Sequence, residues 1–404
     1  MGEVGILVEK EIEDCPCSVR LIPALRGVRP HHVTCGGNNV YCVTVDNIVY
    51  TWEIDISKSQ VSEPRIVKDL IGEEISHVAT SSNFGCASSL GGDYYRWGRL
   101  GLGHVRNQPE LCIDMPESEH VIQTECGERH CMLLTLHGSV FSWGIASDGR
   151  LGTVEESTTS NEGGFSLCPI NVHFKIPNDV KIVKISCGAL HTLALSSSGL
   201  IYSWGSGAGG RLGHGDCSDR WTPTQIQSLK NLHCSDIAAG TWHSCCVLII
   251  PPLKNGGHVF SFGSGLHGQL GQGEITSTFS PSEVKYFHEN CISVQQIFSG
   301  SHHCAAIANC GSIYTWGSNL NDCLGHETLK SKFGLNFTGE PGLCCGKFGE
   351  TLSGIGRGLP RSICCGKGFT VIACNPYNMR PSEVNVDSRT ATESSISIKT
   401  DLES

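Results

Sequence analysis

Residues 187–215 read CGALHTLALSSSGLIYSWGSGAGGRLGHG, and the order of residue types in this stretch decides the fold. Cys187-Gly188 leads over two residues to His191, and a β-rich run extends from Thr192 to Ser196. Ser198-Gly199 interrupts it, and Leu200 to Trp204 resumes it before Gly205. Two short runs split by a Ser/Gly turn make a β-hairpin. Leu212-Gly213 follows eight residues after Trp204.

The same order recurs along the chain, and a repeat outranks any single-residue reading. Cys126-Gly127 leads to His130 and closes at Trp143-Gly144; Gly240 leads to His243 and Phe262-Gly263; Gly300 leads to His303 and Trp316-Gly317. Weaker copies start at Cys35-Gly36, at Ser81 and at Cys365-Gly366. The glycine-equivalent positions are 36, 81, 127, 188, 240, 300 and 366. The step from that position to the aromatic residue is 16 in five copies and 22 in the sixth, where Pro251 to Gly257 lengthen a hairpin. Leu-Gly recurs eight residues after the aromatic at Leu151, Leu212, Leu270 and Leu324. Five of the seven tryptophans fall in one register.

A two-stranded unit cannot bury both faces, but radial stacking supplies the missing neighbours. The expected fold is therefore an all-β, seven-bladed β-propeller. The aromatic residue would fill the wedge between blades, and the glycines would mark turns or close backbone approaches. Repeat cores are expected near 33–70, 78–115, 122–175, 183–229, 236–286, 296–330 and 362–375, within one propeller domain over 1–380. The last copy lacks its outer half. N-terminal strands within 5–25, among them Gly5 to Val8, are expected to join it and close the ring, which removes an open edge. Residues 381–404 are rich in Ser, Thr and acids and hold no aromatic, so a disordered tail is expected there.

Composition narrows the function classes. The 404 residues carry a net charge of −10 and no Lys/Arg-rich arm, so direct DNA binding is not expected. The 49 glycines exceed the usual share of roughly 7% and call for tight turns. The 23 cysteines come without a signal-peptide pattern, which points to a reducing compartment, cytoplasmic with nucleus or cilium as variants. No apolar run is long enough to insert in a membrane. The chain is expected to be a monomer.

The stretch from Cys187 to Gly215 resembles a repeat of the regulator of chromosome condensation family, and the resemblance extends over about residues 20 to 375. Similar propellers serve as exchange factors for the GTPase Ran, and others are domains of NIMA-related kinases, giant ubiquitin ligases, a retinal ciliary GTPase regulator and a plant ultraviolet-B photoreceptor. In the founding exchange factor, GTPase contacts lie just before the repeat histidine. The matching positions here are Asn38, Asn83, Arg129, Leu190, Trp242, His302 and Gly368; His302 matches a histidine, and none carries an acid. Thr153 to Pro169 resembles in place the loop that wedges at the GTPase, with an acidic and polar content. A photoreceptor would need clustered tryptophans, and only Trp221 and Trp242 lie outside the repeat register.

Candidate partner-binding residues are therefore His302, Trp242, Arg129 and Asn83. His130, His191, His243 and His303 recur once per copy, so they are expected to be structural, each with a buried hydrogen bond to backbone. Trp143, Trp204, Phe262 and Trp316 are the structural aromatics. No catalytic residue, metal or cofactor is expected. The Cys-Cys-Gly-Lys tetrads at Cys344 and Cys364 and the pair Cys15/Cys17 lack zinc-ligand spacing. Gly354 to Gly358 lacks the Lys-Ser/Thr ending of a phosphate loop. The insertion 327–361 is a candidate partner-binding loop. The leading expectation is a scaffold or regulator that binds another protein through one face of the ring, without enzymatic activity of its own. The alternative is a guanine-nucleotide exchange factor or regulator for a small GTPase.

Overall fold

The computed structural model describes residues 3–7, 19–58, 60–98, 106–116, 118–153, 164–177, 179–250, 257–326, 336–344 and 358–376. The tail from 381, Cys15 and Cys17, most of the loops 154–163 and 327–357, and the hairpin tip 251–256 lie outside the described residues.

The architecture is an all-β propeller. Five sheets are each built from four consecutive antiparallel strands, as in Ile182–Cys187, His191–Ser196, Ile201–Gly205 and Arg220–Gln225. A sixth four-stranded sheet joins the chain ends: Glu3–Leu7 pairs on one side with Val19–Leu21 and on the other with Thr370–Pro376, which pairs with Gly358–Cys365. Each innermost strand touches that of the next sheet, and Gly358–Cys365 touches both Val294–Ser299 and Pro30–Gly36, so the ring closes.

The regular four-stranded blade occurs six times, not seven. The remaining sheet holds Pro30–Gly36, Asn39–Thr44 and Val49–Asp55, with two short outer pieces, Gln60–Val61 and Arg65–Ile66, paired to the last of these. One residue type differs at the point where the outer strand splits. Gly98, Gly144, Gly205, Gly263 and Gly317 follow their aromatics at φ between +92° and +114°, where the third strand ends and the register to the outer strand shifts. Glu53 stands in that place after Trp52 and cannot take this conformation cheaply. The strand runs on to Asp55, and its outer partner splits.

The core lies between sheets. Trp204 packs on Met132, Leu134 and Val172 of the preceding blade. Phe262 does the same on Leu193 and Ile201, and Trp316 on Cys245 and Val259. Trp143, Trp204, Phe262 and Trp316 are all buried. Fully burying such a ring stabilises by roughly 1.5–3 kcal/mol, so the wedge aromatics carry much of the ring's cohesion.

Candidate functional site

The recurring histidines pin one blade to the next. His191 Nε2 lies 2.8 Å from Ser244 Oγ, and the Ser244 hydroxyl donates to the Arg211 carbonyl at 2.7 Å. With its proton committed, the hydroxyl accepts from His191, so Nε2 carries the ring proton. His130 meets Thr192 Oγ1 at 3.1 Å, His243 meets Cys304 Sγ at 3.0 Å, and His303 meets Thr370 Oγ1 at 3.0 Å. In each case the partner is a hydroxyl or thiol one residue past the corresponding position of the next blade. The expected bond to backbone is thus corrected: the first partner is a side chain, and through Ser244, Cys304 and Thr370 a backbone carbonyl is reached one step later. Burial pushes the histidines down, to about 3 for His130 and His243 and about 4 for His303. They stay neutral, as donors to a hydroxyl or thiol should.

The glycine of the motif has a matching reason. A Cβ on Gly188 would sit 2.3 Å from His191 Cε1 and 2.3 Å from the Gly240 carbonyl oxygen of the next blade. Leu-Gly completes the seam: a Cβ on Gly213 would press within 2.8 Å of the Phe262 ring, and Ser203 Oγ donates to the Leu212 carbonyl at 2.7 Å.

Two cavities of about 530 and 720 Å³ enter the middle of the ring from opposite faces. They meet at one belt: Cys35, Thr80, Cys126, Cys187, Ala239, Ser299 and Cys365 line both. Beyond this belt each innermost strand carries a bulge, and the residue after it faces the first cavity: His32, His77, Gln123, Lys184, Asp236, Gln296 and Ser362. Five of these polar groups, His32, Gln123, Lys184, Asp236 and Ser362, act as struts. Gln123 exchanges two hydrogen bonds with Ile185 of the next blade, at 2.9 and 3.1 Å, and Asp236 accepts from Ile297 N at 2.9 Å while pairing with Lys184. His32 stacks on His77 at 4.4 Å, and burial lowers it to about 4. Glu125 is raised by burial to about 7. Gln123, Lys184 and Asp236 thus spend polar atoms on each other and on neighbouring strands.

The second cavity opens on the face that carries the turns between innermost and second strands. His302 lines it, half-buried and stacked on His267 at 4.6 Å; burial and the nearby His267 and Lys367 lower its pKa. Asn83, Arg129 and Trp242 stand on the same face, exposed on three other turns, and none of them lines the cavity. The buried Arg211 guanidinium sits 4.0 Å from the Trp242 ring centre, held by the Ala208 and Thr241 carbonyls. Leu266 and Leu320 are exposed on the loops after the aromatics of the next two sheets. Sequence reading missed these two leucines, because nothing in an isolated loop distinguishes a leucine that packs from one that does not.

Three groups of His, Cys or carboxylate lie within metal-ligand reach. Cys86, Cys126 and Cys131 belong to the seam between two blades, with Sγ–Sγ contacts of 3.4 Å. His243, Cys245 and Cys304 include the seam bond already described. The third, His258, Glu283 and His288, lies outside any seam. All twenty described cysteines are free, and of the Cys344 tetrad only the buried Cys344 is described.

A ring of radially packed antiparallel blades, pinned at four seams by a buried histidine and by an aromatic-to-Leu-Gly contact, defines a regulator-of-chromosome-condensation type of propeller. The chain belongs to the RCC1-like domain family, whose model matches residues 1–372. It is 29% identical over 358 residues to the human E3 ubiquitin-protein ligase HERC2, a match over 84% of this chain and 7% of that one. It is 28% identical over 346 residues to the ultraviolet-B receptor UVR8 of Arabidopsis thaliana, over 80% of this chain and 73% of that one. Yeast RCC1 (Prp20), solved bound to Kap60, superposes with a TM-score of 0.72 at 19% identity, over 94% of this chain and 90% of that one. The chain thus spans a small fraction of the giant ligase and most of the other two.

Proposed function

We propose that this propeller is a protein-binding regulatory module without chemistry of its own, and that its partner docks on the face carrying Asn83, Arg129, Trp242 and His302. One observation carries this reading. Seam positions hold the same residue types in the four blades with a repeat histidine, whereas the turn position just before it is Arg129, Leu190, Trp242 and His302 in those blades, with Asn38, Asn83 and Gly368 in the other three. This position places Asn83, Arg129, Trp242 and His302 on one face of the ring, on turns of four different sheets. Trp242 supports the reading further: it is 40% exposed, yet held over a buried arginine. Aromatic and Arg anchors on a rigid support are the usual source of interface energy. Relatives that carry this domain inside a ubiquitin ligase, or that form a receptor, fit a docking role. With all described cysteines free, a reducing compartment such as the cytoplasm suits the chain.

The test is capture of a partner by the full chain, its identification, and titration of that partner against variants. Trp242→Ala and Arg129→Glu should each weaken binding about tenfold or more. Leu136→Ser, on an exposed hairpin turn of the opposite face, should leave it unchanged. Dependence on Leu136 and indifference to Trp242 would reverse the assignment of the face.

The second reading is nucleotide exchange on a small GTPase, and the neutral, half-buried His302 at the cavity rim favours it. Release of a fluorescent GDP analogue from a panel of small GTPases, accelerated by the wild-type chain and not by His302→Ala, would make exchange the leading function.

A further inference from the structure

We propose that His258, Glu283 and His288 bind one divalent transition-metal ion of the Zn²⁺ class. His258 opens the strand His258–Gly263, Glu283 ends the outer strand Thr278–Glu283, and His288 lies on the short helix Lys285–Glu289 that follows. The strands fix two of the ligands, since Phe260 pairs directly with Glu283. The helix fixes the third: Phe287 is fully buried, with edge-on contacts to Tyr314 and Trp316 of the next blade.

The donors converge. His258 Nδ1 lies 2.5 Å from Glu283 Oε1, His288 Nδ1 lies 3.4 Å from the same oxygen, and all three lie within 4.8 Å of one another. Zn²⁺ bonds of about 2.0–2.2 Å in a tetrahedral site place N and O donors roughly 3.3 Å apart. The two separations to Glu283 Oε1 lie on either side of that value, and a metal would replace the present His258–Glu283 hydrogen bond. Two imidazoles and one carboxylate leave a fourth position for water. His288 is 65% exposed at its side chain, which gives an entry path, while His258 and Glu283 are largely covered.

The repeat supplies an internal control. The equivalents of His258 and Glu283 in the preceding blade are Leu200 and Gln225. The fold therefore has no need for this triad. It belongs to no seam, lines neither central cavity, and sits on the face opposite Trp242.

The experiment is titration of the full, reduced chain with Co²⁺, read by absorbance and by thermal unfolding. The expected result is one equivalent giving weak visible ligand-field bands without intense near-ultraviolet thiolate charge transfer, together with a raised unfolding temperature. His258→Ala and Glu283→Gln should weaken the affinity by more than about the tenfold that loss of a supporting partner costs, and abolish the thermal shift. His288→Gln, on the exposed helix side, tests the same loss with the least risk to folding; its metal-free unfolding curve should match wild type. Intense thiolate bands that persist in these variants would place the ion on cysteines and overturn the proposal. Absence of any binding at millimolar Co²⁺ would overturn it equally.

Discussion

Lowering the pH from about 7.5 to about 5 should loosen the seams, and the structure fixes both sign and size. His130, His243 and His303 have folded-state values of about 3, 3 and 4 against an ordinary value of 6.5. Burial is the largest cause in each. A histidine lowered by folding stays neutral in the ring while the unfolded chain takes up its proton. Its stability contribution is whole above 6.5 and is lost as pH falls from there toward 3–4. At pH 5 each of the three costs about 2 kcal/mol, about 6 kcal/mol together. Glu125 runs the other way. Raised to about 7, it is most favourable below its ordinary value of 4.5 and loses stability as pH rises through 7, so acidification returns about 2 kcal/mol. These four groups together give a loss of about 4 kcal/mol, a large share of a typical 5–15 kcal/mol, and the likewise lowered His32, His77 and His191 act in the same direction. Urea unfolding followed by tryptophan fluorescence measures it, since Trp143, Trp204 and Trp316 are buried in the seams. The midpoint should fall between the two pH values. His303→Asn should shrink the fall by about 2 kcal/mol, and Glu125→Gln should flatten the limb above pH 6. Stability that holds or rises on acidification would refute the neutral, buried seam histidines outright.

Gly188→Ala should prevent stable folding, because its Cβ meets two fixed groups at 2.3 Å, whereas Gly27→Ala, at φ +87° with nothing within 4 Å, should cost only about 1–2 kcal/mol; soluble yield and urea midpoints separate the two. Ser244→Ala strands the buried Nε2 proton of His191 and should cost about 1–3 kcal/mol by urea unfolding. Removing residues 1–8 deletes the five residue pairs from Glu3↔Cys374 to Leu7↔Thr370 and should lower stability by about 3 kcal/mol, with limited proteolysis cutting first within 358–376.

The parts of this molecule legible in its sequence are those the seam demands of the blades with a repeat histidine. Gly188 must clear a histidine ring, His191 must reach the next blade, and Gly213 must seat the next aromatic. Each requirement excludes nearly every other residue type, so it repeats and can be read. Where the requirement lapses, the reading weakened at the same place: Glu53 stands for a glycine, and that sheet has a split outer strand. The partners of the histidines were also open to reading, since Thr192, Ser244, Cys304 and Thr370 occupy one register. The belt of struts was not. His32, Gln123, Lys184 and Asp236 do the same job with different chemistry, because a side chain that caps a neighbouring strand needs only a polar atom at the right reach. The bulge that sets their register leaves no residue signature. The proposed sites lie further still from the repeat. Trp242 and His302 are reached through their register just before the repeat histidine, whereas the His258–Glu283–His288 triad follows no spacing rule. Their signal is the reverse of a motif: a costly residue type at a position its sister blades fill with something else. Comparing blades within one chain therefore serves where comparing proteins would, since what all blades share holds the ring and what one blade alone carries is available for a partner or an ion.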